Sequence, residues 1–321
     1  MTTNRLTGYF FAASMLMIAT ENALADEVPA NLTNVELEAG LLDSINEALP
    51  ERVDVNQAYL DPSYDPTVVL QQDAQVSVTF LDEGAGYRNS LGYFTFDDST
   101  FDGLTFGDID TDSSGNISIG ELSVLSGVDT GMIFNNVSET GGGGQLNAGD
   151  TYVLGDGSLT NIDGTDYDMT DGEVFEAGTQ MGFFLLQNAW NGSEVNGWDN
   201  DLDPLTMYTI DFLNPENDAS ATIDNPDEYS RHVAMMFSDQ AEDELILGFE
   251  DLKRPYGDND FNDAVFRIRT DPIEAIYADV PDTDTVISLQ AAPAPSLGAS
   301  LPVMGLGLML FNLLRRRAKE K

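Results

Sequence analysis

The chain has 321 residues, enough to bury a sizeable core as one large or two small domains. Its 13 Lys and Arg against 56 Asp and Glu give a formal charge of −43, which excludes binding of nucleic acid or an anionic membrane through the charge of the body. Cysteine is absent, which excludes disulfides, thiolate metal sites and a thiol nucleophile.

The N-terminus pairs Arg5 with a mostly apolar run from Leu6 to Ala19 and the small-residue pattern Ala23-Leu24-Ala25. This is the layout of a secretory signal peptide, so residues 1–25 are expected to be removed after Ala25 and the remainder exported. Residues 26–73 are read as an N-terminal helix and spacer. Val35, Leu37, Leu41, Leu42, Ile45, Ala48 and Leu49 have the spacing of a short amphipathic helix, and Pro50 ends it.

Residues 74–275 carry short strand signals with turns between them, the pattern of an antiparallel β-sandwich or jelly roll. Val76, Val78 and Phe80 alternate with Ser77 and Thr79, a half-buried strand over Gln75 to Leu81. Glu83 to Asn89 is a Gly-containing turn, and Leu91 to Phe96 returns as a second strand. Asp110 to Glu121 then reads DTDSSGNISIGE and fits a twelve-residue calcium loop. Asp110, Asp112 and Ser114 supply the first, third and fifth side chains, and Gly115 allows the sharp turn. Asn116 offers its backbone carbonyl, Ser118 acts through water, and Glu121 closes the site with two oxygens.

That segment, 110–121, resembles an EF-hand loop. Its flanks depart from the family: Thr100 to Ile109 disfavours helix, only Ile119 to Leu125 is compatible with a short one, and no paired loop is evident. Such a lone loop is expected to staple an insertion rather than to act as a sensor.

Ser138 to Glu176 is rich in Gly, Asp, Asn and Thr and is read as loop-dominated, with a short strand at Tyr152 to Leu154. Asp163, Asp166, Asp168 and Asp171 are read there as solvated acids, with an ion site as the alternative. Met181 to Leu186 is continuously apolar, as in a strand buried on both faces. Asp199, Asp201 and Asp203 follow in a WDNDLDP turn, a further calcium candidate. Met207 to Phe212, His232 to Phe237 and Leu245 to Phe249 are the next strands.

Glu250, Asp251, Asp258, Asn259, Asp260, Asn262 and Asp263 then place seven oxygen-donor side chains within fourteen residues. They form a loop before a strand in which Arg267 and Arg269 alternate outward. Anions this dense repel one another, and oxygen-only ligands favour Ca2+. The expected metal ligands of this cluster are Glu250, Asp251, Asp258, Asp260, Asn262 and Asp263.

GFEDL and DNDFNDAVF, with RHVAMMF and GFFLLQNAW upstream, resemble the bacterial domain of unknown function 4114 over about 178–272, and LDEGAGYRNSLGYF resembles the opening strands of its longer members. The resemblance implies a secreted, calcium-dependent β-sandwich module of surface and adhesin-like proteins, and no catalytic activity.

The end of the chain divides into a linker, 276–296, and an apolar segment from Leu297 to Leu314 followed by Arg315, Arg316 and Arg317. Residues 297–321 are similar to a PEP-CTERM sorting tail, which implies membrane engagement and an exosortase-like processing enzyme in a Gram-negative envelope. Pro293-Ala294-Pro295 stands where that motif carries an acid between prolines, and a permanent anchor is the alternative. No enzyme is expected. His232, the single histidine, lies in an apolar strand run, and Trp190 reads as core. The function expected is a calcium-binding protein with a structural, adhesive or matrix role that touches extracellular polysaccharide or another cell surface. A surface-attached carbohydrate-binding module or glycan-active enzyme is the alternative.

Overall fold

The computed structural model describes residues 27–61, 66–163, 166–238 and 244–277. The expected signal segment, the linker beyond residue 277 and the hydrophobic tail lie outside the described residues.

Short alternating segments dominate the described chain. In order they are β1 (Thr33–Asn34), β2 (Val68–Leu70), β3 (Gln75–Asp82), β4 (Ser90–Phe96), β5 (Asp129–Phe134), β6 (Asp150–Val153) and β7 (Ser158–Asp163). There follow β8 (Asp166–Thr170), β9 (Gln180–Leu186), β10 (Thr206–Tyr208), β11 (Val233–Phe237), β12 (Leu245–Phe249), β13 (Ala264–Asp271) and β14 (Ile276–Tyr277). One antiparallel sheet runs β1-β6-β3-β13-β12-β11, and a second runs β14-β2-β9-β4-β5 with β10 also beside β9. β7 and β8 form a separate ribbon.

The period of two sorts side chains into layers. Val76, Val78 and Phe80 of β3, Phe266 and Ile268 of β13, and Leu245, Leu247 and Phe249 of β12 share one core with Met181, Phe183 and Leu185 of β9. Phe183 meets Phe266 of the other sheet at 5.6 Å between ring centroids. The alternate residues of β9, Phe184 and Leu186, enter a second core with Phe94, Phe106, Ile117 and Leu122. β9 is thus buried on both faces, as its apolar run predicts. On the outer face of the first sheet, helix α1 (Leu41–Ala48) packs Leu41 and Ile45 on Ala234, Met236, Ile246 and Val265.

Several expectations are corrected. The helix begins at Leu41 because Gly40, at φ 89°, starts the turn in the left-handed region. The loop-dominated stretch contains the β7–β8 ribbon, and β5 lies in a segment where no strand is expected. The strand expected over Met207 to Phe212 stops at Tyr208. There the buried Asn214 side chain accepts from Tyr208 N at 2.6 Å and donates to Tyr208 O at 2.9 Å, and the chain turns into a 3-10 segment, Asp211–Leu213. Arg267 and Arg269 do lie opposite the inter-sheet core, but they are covered rather than solvated. Arg267 bonds Glu38 at 2.8 Å and Glu244 at 3.2 Å, Arg269 bonds Glu244 at 2.8 Å, and the Arg269 guanidinium lies over Tyr167. Among the described residues no helix is long and apolar enough to cross a membrane.

Candidate metal centres

The twelve-residue loop follows the single-turn helix α2 (Phe106–Ile109), and its last three residues begin the single-turn helix α3 (Ile119–Leu122), so a helical turn stands at each end of the loop rather than at one end only. Each turn has a capping box, Thr105 with Asp108 and Ser118 with Glu121, which supplies the local stability that composition alone does not. The backbone of the loop wraps its own carboxylates. Ser114 N donates to Asp110 Oδ1 at 3.0 Å and Asp112 Oδ1 at 2.8 Å, and Gly115 N donates to Asp110 Oδ2 at 3.0 Å. Gly115 has φ 76°, the conformation that its place in the loop requires.

Asp110, Asp112 and Glu121 each bring one oxygen within 4.8 Å of the others, an arrangement that offers three carboxylates to one cation. Burial would raise Glu121, but hydrogen bonds from Ser118 and Thr111 outweigh it and hold the carboxyl below its ordinary value. Asn116 serves the loop with its side chain as well. Its Nδ2 donates to Asp203 Oδ1 at 2.7 Å, and its Oδ1 accepts from Thr206 N at 2.9 Å. Ile117 is fully buried, and its carbonyl accepts from Tyr208 Oη at 2.6 Å. The loop is therefore pinned to β10. Of the acids in the WDNDLDP turn, Asp203 reaches it.

The second centre occupies the β12–β13 connection. Glu250 follows the last residue of β12 and Asp263 precedes the first of β13, so the two face each other at the mouth of the hairpin. Asp263 N donates to Phe249 O at 3.1 Å, and Asp251 N donates to Asp263 Oδ2 at 2.8 Å. Beyond them the backbone takes positive φ at Asn259 (55°) and Phe261 (58°). A bulky residue seldom adopts this conformation, and Phe261 is held in it by complete burial under α1 and by the Arg254 guanidinium 5.1 Å from its ring. Two sets of carboxylates result, Glu250 with Asp251 and Asp263, and Glu250 with Asp258 and Asp260, each with one oxygen per residue within 4.8 Å of the rest.

The donor set suits a cation. Glu250 is 0% exposed, and its Oε2 has no hydrogen-bond partner; Asn262 Oδ1 is likewise buried and unpartnered. An ionised carboxylate in that position is costly unless a positive charge or a proton meets it. Burial pushes the Glu250 carboxyl up to about 8, with the charges of Asp258, Asp260 and Asp251 adding to the shift against the Leu252 hydrogen bond. Burial likewise raises Asp251 and Asp263, each reinforced by neighbouring carboxylates. Asp260 is raised by the same cause.

Other residues at this centre come from far away in sequence. Asn89 Nδ2 donates to Asp251 Oδ2 at 2.6 Å, Gly84 N donates to Asn262 O at 2.9 Å, and Arg52 N donates to Asp260 Oδ2 at 2.8 Å. Asn262 Nδ2 donates to Glu51 at 3.3 Å. Burial pushes Glu83, in the same Gly-containing turn, up to about 7. His232 lies behind the site: its Nδ1 bonds the Glu250 carbonyl and its Nε2 bonds Glu216, both at 2.9 Å. Both ring nitrogens are thus engaged, and the ring is fully buried. Of these residues, Glu83, Gly84 and Asn89 lie in the LDEGAGYRNSLGYF segment and His232 in RHVAMMF, whereas nothing in the sequence marks Glu51 and Arg52 as neighbours of the acidic loop.

Beside the second centre lies a cleft of about 430 Å³ lined by Pro215, Glu216, Tyr229, Lys253, Arg254 and Tyr256, among others. Trp190 is buried in the second core, whereas Trp198 is partly exposed and stacks on Phe184 at 6.4 Å.

The family described as Domain of unknown function (DUF4114) matches residues 175–271. The match covers β9 to β13 and includes the five carboxylates of the second centre, while Glu51, Arg52, Asn89 and the twelve-residue loop lie outside it. No curated protein and no solved structure matches the chain.

Proposed function

We propose that this chain is an exported, envelope-associated β-sandwich protein that binds Ca2+ and has a structural, adhesive or matrix role without catalysis. The observation that carries the reading is the Glu250 carboxylate, wholly buried among four other acids with an oxygen that nothing in the protein satisfies. Two calcium-binding regions follow, the 110–121 loop and the β12–β13 connection. Ions there neutralise the acidic loops and order them, so that folding is coupled to ion binding. The hard oxygen donors select calcium over softer metals, and extracellular sites of this kind bind with Kd of roughly 0.1–1 mM. Export by the N-terminal segment and tethering or exosortase-like processing at the tail belong to the same proposal.

The test is thermal unfolding of the chain with chelator and with millimolar calcium, beside Glu121→Gln and Asp260→Asn. Calcium is expected to raise the melting temperature, and each variant to reduce the gain. An unchanged melting temperature would sink the reading. The cleft beside the second centre, with exposed Tyr256 and Tyr229 among carboxylates and cationic side chains, favours a second reading in which the surface takes a glycan. Sugar binding that survives Asp260→Asn would favour that reading over a purely structural role.

A further inference from the structure

The two sets of carboxylates in the β12–β13 connection have one member in common. Glu250, Asp251 and Asp263, all buried, make the inner set, at the mouth of the hairpin; Glu250, Asp258 and Asp260 make the outer set, on the loop tip, where Asp258 is exposed. Glu250 has two oxygens with different surroundings: Oε1 accepts from Leu252 N at 3.2 Å, and Oε2 has no partner. The loop folds over this carboxylate closely enough that a Cβ on Gly257 would lie 2.5 Å from Oε1. When ionised, the five acids carry five negative charges. One divalent cation leaves three of them uncompensated in a buried site, whereas two leave one. The guanidinium of Arg254 also acts on Glu250 through its charge.

We propose that Glu250 is a bridging ligand that holds two calcium ions side by side, the inner ion with Asp251 and Asp263 and the outer ion with Asp258 and Asp260. Calcium accepts carboxylates that coordinate with one oxygen or with two, at about 2.3–2.6 Å, and a carboxylate shared between two ions sets them about 3.5–4 Å apart. The inner ion ties the two ends of the hairpin together. The outer ion draws the Leu252-to-Gly257 segment over the inner one, so the exposed half of the site is the lid of the buried half. This inference rests on the calcium reading above and adds the number of ions and their shared ligand.

The test counts calcium ions by native mass spectrometry and calorimetric titration, using the full chain with Glu121→Gln to remove the 110–121 loop site. Against that background, Asp258→Asn is expected to lose one ion and Asp263→Asn one ion, with the double variant losing two and Glu250→Gln also losing two. A single ion at this site predicts something else: each single variant loses the same ion, and the double variant loses no more than either. That result would overturn the pair while leaving calcium binding in place. No calcium on the unsubstituted chain would overturn the calcium reading itself. Asp258 is exposed and its variant is expected to fold, and the Asp258 and Asp263 series decides the question even if Glu250→Gln does not fold.

Discussion

At the scale of single residues, the acids of the β12–β13 connection act on stability through their protonation. The Glu250 carboxyl, with an ordinary value of 4.5, is pushed up to about 8 by burial. A carboxyl raised in the folded state binds its proton more tightly there than in the unfolded chain. Its contribution is therefore fully present below 4.5 and is lost as pH rises through about 8. In chelator, the melting temperature is expected to fall across that window. With calcium the sign reverses, because the ion takes the ionised carboxylate, so the gain in melting temperature from calcium is expected to grow with pH. Melting curves at several pH values, with and without calcium, check both slopes; a calcium gain that shrinks with rising pH contradicts them. Gly257 gives a second handle. Gly257→Ala places a methyl group 2.5 Å from Glu250 Oε1, which must move or carry the loop with it. Calcium affinity, measured by calorimetry, is expected to drop about 10- to 100-fold, the range seen when the support of a metal ligand is disturbed.

At the scale of elements, what covers the sheets matters as much as the sheets. The α1 segment and the chain around it bury the outer face of the first sheet and turn Arg267 into an interior cation, 1% exposed and bonded to Glu38 and Glu244. Removing one partner of a buried ion pair leaves the other charge uncompensated. Arg267→Met is therefore expected to cost about 3 kcal/mol, at the lower end for a broken buried pair because Arg269 still meets Glu244. Urea unfolding of the variant measures it, and a loss below about 1 kcal/mol, typical of surface pairs, would place the network in solvent. The twelve-residue loop follows the same logic on the other side. Its apolar residues Ile117, Ile119 and Leu122 join the core that covers the second sheet, so the loop is part of the packing as well as a candidate ion site.

At the scale of the molecule, the strands cross-link segments distant in sequence. The matched segment 175–271 supplies β9 to β13, yet β9 pairs with β4 and β2, and β13 pairs with β3 along most of its length. Cut out alone, the segment loses those partners and exposes the backbone edges of its two longest strands. A fragment spanning 175–271 is expected to be unfolded by circular dichroism, with or without calcium, whereas the whole chain folds. A cooperatively melting fragment would show that the matched region is self-sufficient.

Local chemistry made much of this protein legible from its residues. The alternation in β3, the doubly apolar run of β9, the β12 and β13 pair and the order of donors in the 110–121 loop all follow from periods of two or from fixed spacings within a dozen residues. Ligand-type side chains within one loop were legible for the same reason. Only the tertiary structure decided which acids share Glu250, that Asn89, Glu83 and Glu51 close around them, that Asp203 bonds Asn116, and that Arg267 lies in the interior. These depend on which strands pair and what covers them, and pairing over a hundred residues or more leaves no trace in any local window. The ribbon of β7 and β8 leaves no such pattern, because Asp, Asn, Ser and Thr, residues of turns, make up most of its two strands, which pair only with each other.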